Sequence, residues 1–278
     1  MLAWLALLVS LLVAPSALAH FITPKDGGSP NANSIAHLYK LILYVAIFVF
    51  VVVEGALVYS LYKFRARRGA VAAHIHGNTP LEIGWTVAAA LILVVITTIT
   101  FIKLPGIINP PNSNRNAALI ADLGVPTPPN GKPLVICVQG RQFIWRYSYG
   151  SACKGDAFGA KLPYSYTDMV VPAGTTVQLV IQATDVIHSW WVPSLGGKVD
   201  AVPGYTTYTW FKSDHPGSTY TGHCAQLCGR EHYAMLARVK VVTLAQYKEW
   251  IAAQKQAIAA ANSQVTQLRQ ILTQNGNL

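Results

Sequence analysis

The sequence predicts a membrane-anchored protein in which a two-helix transmembrane hairpin precedes an all-β domain. Only 12% of its 278 residues are charged, about half the fraction found in a typical soluble domain. Two apolar stretches within the first 105 residues are long enough to cross a membrane. From residue 132 to about 243, short β-branched and aromatic runs alternate with turn residues. That pattern is typical of a β-sandwich or β-barrel.

Residues 1–19 have the features of a secretory signal. They combine an apolar run with the small-x-small end Ala17-Leu18-Ala19, although the usual basic start is missing. We expect cleavage after Ala19. The alternative is a retained N-terminal hydrophobic helix, which would be short for a membrane span. Export would place the mature chain in an oxidising compartment.

The segment 20–104 is predicted to form the hairpin, with spans at about 38–62 and 83–104. The 22 residues 41–62 alone would rise about 33 Å as a helix, enough for a hydrocarbon core of about 30 Å. Pro105-Gly106 is expected to stop the second helix. A basic run follows the first span directly and makes the intervening loop cytoplasmic by the positive-inside rule; it comprises Lys63, Arg65, Arg67 and Arg68.

This topology turns both mature ends to the outer side of a bacterial-type plasma membrane, which the chain crosses twice. Part of the formal net charge of +10 comes from the basic run in the loop between the spans, where the cations serve as a topology signal. We therefore predict no nucleic-acid partner.

Three segments follow the hairpin. Residues 105–131 are rich in proline and asparagine and indicate a linker. Residues 132–243 hold six predicted strands of an antiparallel sandwich or barrel, at about 134–139, 142–149, 168–172, 176–183, 205–211 and 237–242. Residues 244–278 are a predicted helical tail, in which the apolar spacing (Leu244, Tyr247, Ile251, Ile258) predicts a helix from about Leu244 to Leu268 that leans on the β domain.

A soft metal-ligand set lies near the end of the β domain, in the run GHCAQLCGREHYAM (222–235). It offers the thiolates of Cys224 and Cys228, the imidazole of His232 and the thioether of Met235, with His188 upstream. Such ligands select copper over magnesium or calcium. One thiolate more is present than a mononuclear blue-copper site needs. A structural zinc site and a Cys224–Cys228 disulfide are the alternatives.

The chain resembles subunit II of the haem-copper cytochrome c oxidases over nearly all of its mature length. The motifs that carry the resemblance are HSWWVPSLGGKVDAVPG (188–204) and GHCAQLCGREHYAM (222–235), together with the hairpin. The resemblance implies a cupredoxin-like Greek-key β-barrel with two copper ions in a dinuclear copper A centre. It implies bridging by Cys224 and Cys228, capping by His188 and His232, a weak Met235 ligand, and a backbone carbonyl ligand at Gln226.

The chain departs from the family pattern at three features. Gln226 stands where the family has Glu, so magnesium at the subunit I contact would lose a carboxylate ligand. Phe143 occupies the family's Trp position at which electrons arrive from cytochrome c. Trp145 is the alternative arrival point, although its position favours the buried face. Residues 132–243 carry ten Lys/Arg against six Asp/Glu, a net of +4, which is unusual for docking a basic cytochrome c.

Four further residues have predicted roles. Glu82, at the start of the second span, matches the entrance of a proton path into subunit I, and a carboxylate placed favourably at a helix N-terminus is the simpler alternative. Glu54 within the first span is expected to be protonated and buried against subunit I. Cys137 and Cys153 bracket a predicted hairpin, and outside the cell they could form a disulfide or remain as two buried thiols.

The resemblance implies the electron-accepting subunit of a proton-translocating cytochrome c oxidase. Its partners would be the haem-bearing subunit I, other oxidase subunits and cytochrome c. The oxygen chemistry would lie outside this chain, which has no Cys-x-x-Cys-His motif for a c-type haem. A membrane-anchored copper-binding or assembly protein and a quinol oxidase subunit II are the alternatives. The second lacks copper ligands in its family, whereas this chain keeps all of the side-chain ligands.

Overall fold

The computed structural model describes residues 23–110, 133–150, 153 and 162–275, except position 26 and six positions between 67 and 75. The predicted signal 1–19, most of the predicted linker, and Arg67 and Arg68 lie outside the described residues. The chain divides into two units. One contains the described residues up to Ile35 and from Gly106 onward, and the other is 36–105.

Two long apolar helices form the first part of the chain. Helix α1 covers Pro30–Lys63 and helix α2 covers Thr79–Ile108, and both are long and apolar enough to cross a membrane. The expected stop at Pro105-Gly106 is wrong by a few residues. Pro105 lies in the last turn of α2, where it removes the backbone hydrogen bond to the preceding turn, and the helix ends three residues later at Ile108. Beyond Pro105, the Ile107 carbonyl accepts a hydrogen bond of 2.9 Å from the Trp210 indole.

In the described residues, the β domain contains ten strands followed by helix α3 at Leu244–Gln274. The strands are β1 Leu134–Arg141, β2 Ile144–Tyr149, β3 Tyr164–Tyr166, β4 Asp168–Pro172, β5 Thr176–Ala183, β6 His188–Trp191, β7 Val199–Ala201, β8 Thr207–Lys212, β9 Thr219–Cys224 and β10 Leu236–Val242. The six predicted strands are all present. Four were missed because they are short or interrupt their apolar residues with polar ones: β3, β6, β7 and β9.

The strands form two five-stranded sheets, in the orders β3-β2-β1-β5-β8 and β4-β10-β9-β6-β7. Most neighbours are antiparallel, but β1 pairs with β5 in parallel and β4 pairs with β10 in parallel. The expectation of an antiparallel domain is therefore wrong at these two pairs. Strands distant in sequence meet there, and such crossovers leave no mark in the local pattern.

One apolar core fills the space between the sheets. The first sheet contributes Ile136, Val138 and Leu179, and the second contributes Val171 and Val239. All of these side chains are buried. Core interiors packed to this degree resist displacement. The domain therefore provides a rigid support for residues at the ends of its strands.

Helix α3 starts with a capping box between Thr243 and Gln246. Its first two turns lean on the β domain, as predicted: Tyr247 is buried, and Trp250 packs edge-on against Tyr149 at a centroid distance of 4.8 Å. The expectation placed the end near residue 268, whereas the helix continues to Gln274.

The structure joins Cys137 of β1 to Cys153 as a disulfide. The bond closes a loop with a sequence separation of 16. We expect peptide mapping without reductant to find the two cysteines linked. The double variant Cys137→Ser/Cys153→Ser should lose about 3 kcal/mol of unfolding free energy, because the reduced chain regains loop entropy. Two free thiols at these positions in the native protein would contradict the assignment.

Candidate metal centre

The predicted ligands come from two adjacent strands and one loop. His188 opens β6 and Cys224 closes β9, and these strands are antiparallel neighbours with Trp190 opposite Cys224. The loop 225–235 connects β9 to β10 and contains the remaining ligands. Pairing of Leu236 with His223 closes that loop at its base. The sheet thus brings together residues that are 36 positions apart in the chain.

The side chains converge at short distances. The two sulfurs, Cys224 Sγ and Cys228 Sγ, are 3.9 Å apart. His188 Nδ1 lies 3.9 Å from Cys224 Sγ, and His232 Nδ1 lies 3.6 Å from Cys228 Sγ. Each histidine is therefore paired with a different cysteine. The Gln226 carbonyl oxygen lies 3.3 Å from Cys224 Sγ, while the Gln226 side chain is exposed.

Burial isolates most of this cluster from solvent. His188, Cys224 and Met235 have no exposed surface, and Cys228 is also buried. His232 is half-buried. A cavity of about 590 Å³ opens beside Cys224 and His232. Its wall includes Trp191 and Lys198.

The donor set fits a metal ion. His188, Cys224 and Cys228 each offer a ligand atom, and these atoms lie within 4.8 Å of one another. Metal–thiolate bonds measure about 2.3 Å, so sulfurs 3.9 Å apart can both reach one ion. The same separation is too long for a disulfide, which requires about 2.05 Å. Nitrogen, thiolate and thioether donors together suit copper better than a hard cation.

A carboxylate fixes the His188 ring. Asp185 Oδ1 lies 2.9 Å from His188 Nε2, so Nδ1 is left to face the sulfurs. No pattern in the sequence indicates that Asp185 contacts the ring. Histidine ligands commonly use their second nitrogen in this way, and the partner sets the orientation and basicity of the ring.

Gln142 connects the His188 side of the cluster to the ligand loop. Its backbone N–H donates to Asp185 Oδ2 at 2.7 Å, and its side-chain Nε2 donates to the Cys228 carbonyl at 2.7 Å. Gly140 lies beneath the ring, where an added Cβ would be 3.0 Å from His188 Cδ2. Sequence reasoning missed both roles, because neither residue type suggests a metal site.

The thiols of Cys224 and Cys228 differ in pKa because their surroundings differ. Burial opposes ionisation of Cys224, but hydrogen bonds with His188 and with the backbone of Ser189 and Gln226 outweigh it and lower its pKa. Burial and then the negative charge of Cys224 raise the pKa of Cys228. Burial also opposes protonation of His188, yet its contacts with Cys224 and Asp185 raise its pKa. The cluster thus holds one thiolate readily, and a bound cation would favour the second.

The two predicted electron-arrival aromatics occupy different environments. Trp145 is fully buried and contacts the His188 ring edge-on at a centroid distance of 5.9 Å. Phe143 is partly exposed, and its ring lies where a Cβ on Gly229 would come within 2.9 Å. Gly229 directly follows Cys228, so Phe143 adjoins the ligand loop from the solvent side.

The other predicted residues lie outside the cluster. Glu82 is in the first turn of α2, where its Oε1 accepts a hydrogen bond of 3.3 Å from the Asn78 backbone. Glu54 is exposed along α1 within this single chain. His223, next to Cys224, is exposed and contacts the Trp191 ring instead of the sulfurs.

Models of two protein families match most of the chain. The one described as cytochrome C oxidase subunit II, transmembrane domain, matches residues 17–102. The one described as cytochrome C oxidase subunit II, periplasmic domain, matches residues 134–242. The chain belongs to the cytochrome c oxidase subunit II family. The predicted family and fold class are thereby confirmed, and this subunit II is a membrane protein with a periplasmic domain.

Several relatives of this subunit II carry the same name. Cytochrome c oxidase subunit 2 of Alkalihalophilus pseudofirmus is 33% identical over 83% of this chain, which spans 61% of that relative's length. The protein of Cereibacter sphaeroides is 31% identical, with 82% of this chain and 80% of the relative covered. The solved periplasmic domain of subunit II from Bradyrhizobium japonicum is 25% identical, covers 48% of this chain and 99% of its own, and has a TM-score of 0.40.

Proposed function

We propose that this subunit II accepts electrons from a cytochrome c at a dinuclear copper centre and delivers them to haem in subunit I. Dioxygen would be reduced to water there, coupled to proton pumping. The observation that supports this best is the pairing of each histidine with a different cysteine, around two sulfurs 3.9 Å apart. A bound copper pair would supply reversible one-electron chemistry.

The chain's own residues would hold such a centre in nearly the same geometry in both redox states. Cys224, Cys228, His188 and His232 would hold the copper ions, with Met235 and the Gln226 carbonyl as weaker ligands. Strands β6 and β9, anchored in the core, fix His188 and Cys224. A rigid support limits reorganisation when charge changes, which favours rapid electron transfer.

The spectrum of the copper-loaded chain tests this proposal. One electron shared equally by two copper nuclei should give a seven-line hyperfine pattern in electron paramagnetic resonance. A four-line pattern, or silence in oxidised copper-loaded protein, would refute the dinuclear assignment. Zinc in the freshly purified oxidase would support the structural-zinc alternative instead.

Exposed apolar side chains surround the ligand segments. Val186 and Ile187 precede His188, Leu227 lies between the two cysteines, and Tyr233 follows His232. Leu227 and Tyr233 are 78% and 80% exposed. Such groups suit an apolar contact with a partner protein. We assign donor docking to this region, with Phe143 as the point where electrons arrive and the buried Trp145 as support for the His188 ring.

The charge of the domain predicts a weak salt effect on docking. With a net of +4 over residues 132–243, attraction of a basic cytochrome c is small. Association that is steered by charge gains about 10–1,000-fold and loses this at high ionic strength. We expect kcat/KM for a basic donor to change by less than about tenfold between low and physiological salt. A steep fall would indicate an acidic docking patch instead.

Gln226 allows the copper and magnesium contacts to be tested separately. The copper contact uses its backbone carbonyl, so Gln226→Ala should leave the seven-line spectrum unchanged. Gln226→Glu should increase the affinity of the assembled oxidase for Mn²⁺, a spectroscopic substitute for magnesium, by about tenfold, since a carboxylate is the better ligand for a hard cation. Loss of the seven-line spectrum in Gln226→Ala would contradict the assignment of the copper contact to the backbone carbonyl.

Glu82 is our candidate for the entrance of a proton path into subunit I. Its exposed position in the first turn of α2 gives it access to the membrane surface. The assembly-protein alternative predicts that the chain purifies without subunit I. The quinol oxidase alternative predicts a domain that does not retain copper. Co-purification with subunit I and copper content together distinguish the three functions.

A further inference from the structure

The outer part of helix α3 carries an apolar seam with a heptad repeat. Counting from its first residue, every seventh position is apolar: Leu244, Ile251, Ile258, Val265 and Leu272. The intermediate seam positions, three residues further on each time, are Tyr247, Gln254, Ala261 and Leu268. Apolar residues that recur in this way over several heptads are typical of a coiled-coil partner helix.

The β domain covers the beginning of this seam and leaves the rest uncovered. Tyr247 is buried and Ile251 packs against the core. Further along the seam, the exposed fractions of Val265 and Leu268 are 49% and 56%, and Ile258 and Leu272 are partly exposed. The uncovered stretch 254–274 would extend about 31 Å, or three heptads. That is enough length for a two-stranded contact.

The outer stretch has little intrinsic support as a helix. Its polar positions are mostly Gln, Ala, Ser and Thr, and residues 250–274 contain no acid that could form ion pairs along the helix. Helical stability in proteins comes mainly from packing of an amphipathic face. A stretch of this length with an unpacked seam is therefore expected to gain stability from another surface.

The edge beside the seam is basic. Lys248, Lys255 and Arg269 share the same heptad position, immediately next to the apolar positions. In coiled coils, residues at this position pair with charged residues on the facing helix and decide which partner binds. A partner helix with Asp or Glu at its facing edge would complement Lys255 and Arg269, the two of these cations that lie on the uncovered stretch.

A second copy of this chain has no acidic edge that could pair with these cations. In a parallel pair, the residues facing the basic edge would be Trp250, Ala257, Gln264 and Ile271, none of them acidic. An antiparallel pair would place the basic edges against each other. A lipid surface also fits poorly, because helices that lie on membranes usually have a strongly basic polar face, whereas this polar face is mainly Gln, Ala and Ser.

We propose that residues 254–274 dock an amphipathic helix of another protein chain, with an acidic edge, as a short two-stranded coiled coil. Ile258, Val265 and Leu272 insert between its apolar residues. Lys255 and Arg269 pair with its carboxylates. β-Branched residues at the first seam position, combined with Leu268 at the second, favour two strands. This surface is independent of the metal ligands and of the proposed electron transfer.

Photo-cross-linking in the assembled oxidase tests the proposal. A photoreactive phenylalanine analogue replaces Val265 on the seam or, as control, Ser263 on the opposite face, in the full chain within its membrane. We expect an adduct at 265 and not at 263. Sequencing by mass spectrometry should place the attachment in a different chain, in a heptad segment with Asp or Glu beside the seam.

Charge reversal makes the test specific. Lys255→Glu with Arg269→Glu should lower the adduct yield at 265 by about tenfold, since two attractive pairs become repulsive. The control pair Gln256→Glu with Gln270→Glu, on the opposite face, should leave the yield unchanged. Attachment to lipid, to a second copy or to the same chain would overturn the proposal. So would absence of an adduct, equal yields at 263 and 265, or indifference to charge reversal. An unchanged copper spectrum in all variants keeps this test separate from the proposed function.

Discussion

Cys228→Ser should abolish the mixed-valence copper spectrum and nearly all oxidation of cytochrome c by the complex. Cys228 Sγ lies within 3.9 Å of both Cys224 Sγ and His232 Nδ1, so its loss separates the two halves of the cluster. A serine hydroxyl stays protonated at neutral pH and is a poor ligand for a soft metal. We expect activity to fall by at least about 100-fold, the upper end of what removing an outer-shell partner costs.

The measurement combines copper content, electron paramagnetic resonance and steady-state turnover with reduced cytochrome c. A residual four-line signal would fit one copper ion held by Cys224 with His188. Gln226→Ala serves as the matched control, because it alters the same loop but keeps the backbone carbonyl. A variant that keeps the seven-line pattern with serine at position 228 would exclude Cys228 as a bridging ligand.

Asp185→Asn should weaken copper binding and slow electron transfer without removing a ligand. The carboxylate accepts hydrogen bonds from His188 Nε2 and from the backbone of Gln142 and Val186. An amide offers one accepting oxygen and no charge. The His188 ring would therefore be held less firmly in its orientation and would be a less basic ligand. Loss of such a partner costs about 10–100-fold in metal affinity or activity. We expect a loss in that range, together with a shifted reduction potential.

Asp200→Asn is the matched control for this prediction. It removes the same charge from the same domain, but Asp200 makes no side-chain contact with His188 among those the structure describes. If Asp185 acts through the ring, only Asp185→Asn should lose copper faster to a chelator. If the two variants raise KM for cytochrome c equally and retain copper equally, Asp185 serves docking and does not position the ring.

Much of the fold could be predicted from the local pattern of the sequence. The two spans are visible because a membrane helix needs a long apolar run and nothing else, and the structure places helices over both. Strands such as β1, β4 and β5 are visible because they bury runs that are rich in β-branched residues. Strands β6 and β9 were missed because β6 is only four residues long and polar residues and a glycine interrupt the apolar pattern of β9. Their pairing energy comes from neighbours that are remote in the chain.

The sequence by itself indicated the family and predicted the candidate ligands of a soft-metal site, since these depend on residue identity and short spacing. The tertiary structure decided which groups act together. It paired His188 with Cys224 and His232 with Cys228, and it brought Asp185 and Gln142 to the cluster. It also showed that helix α3 leaves its seam uncovered beyond Ile251. These relations depend on sheet register and helix packing, which are set by contacts between distant residues and leave no local signature.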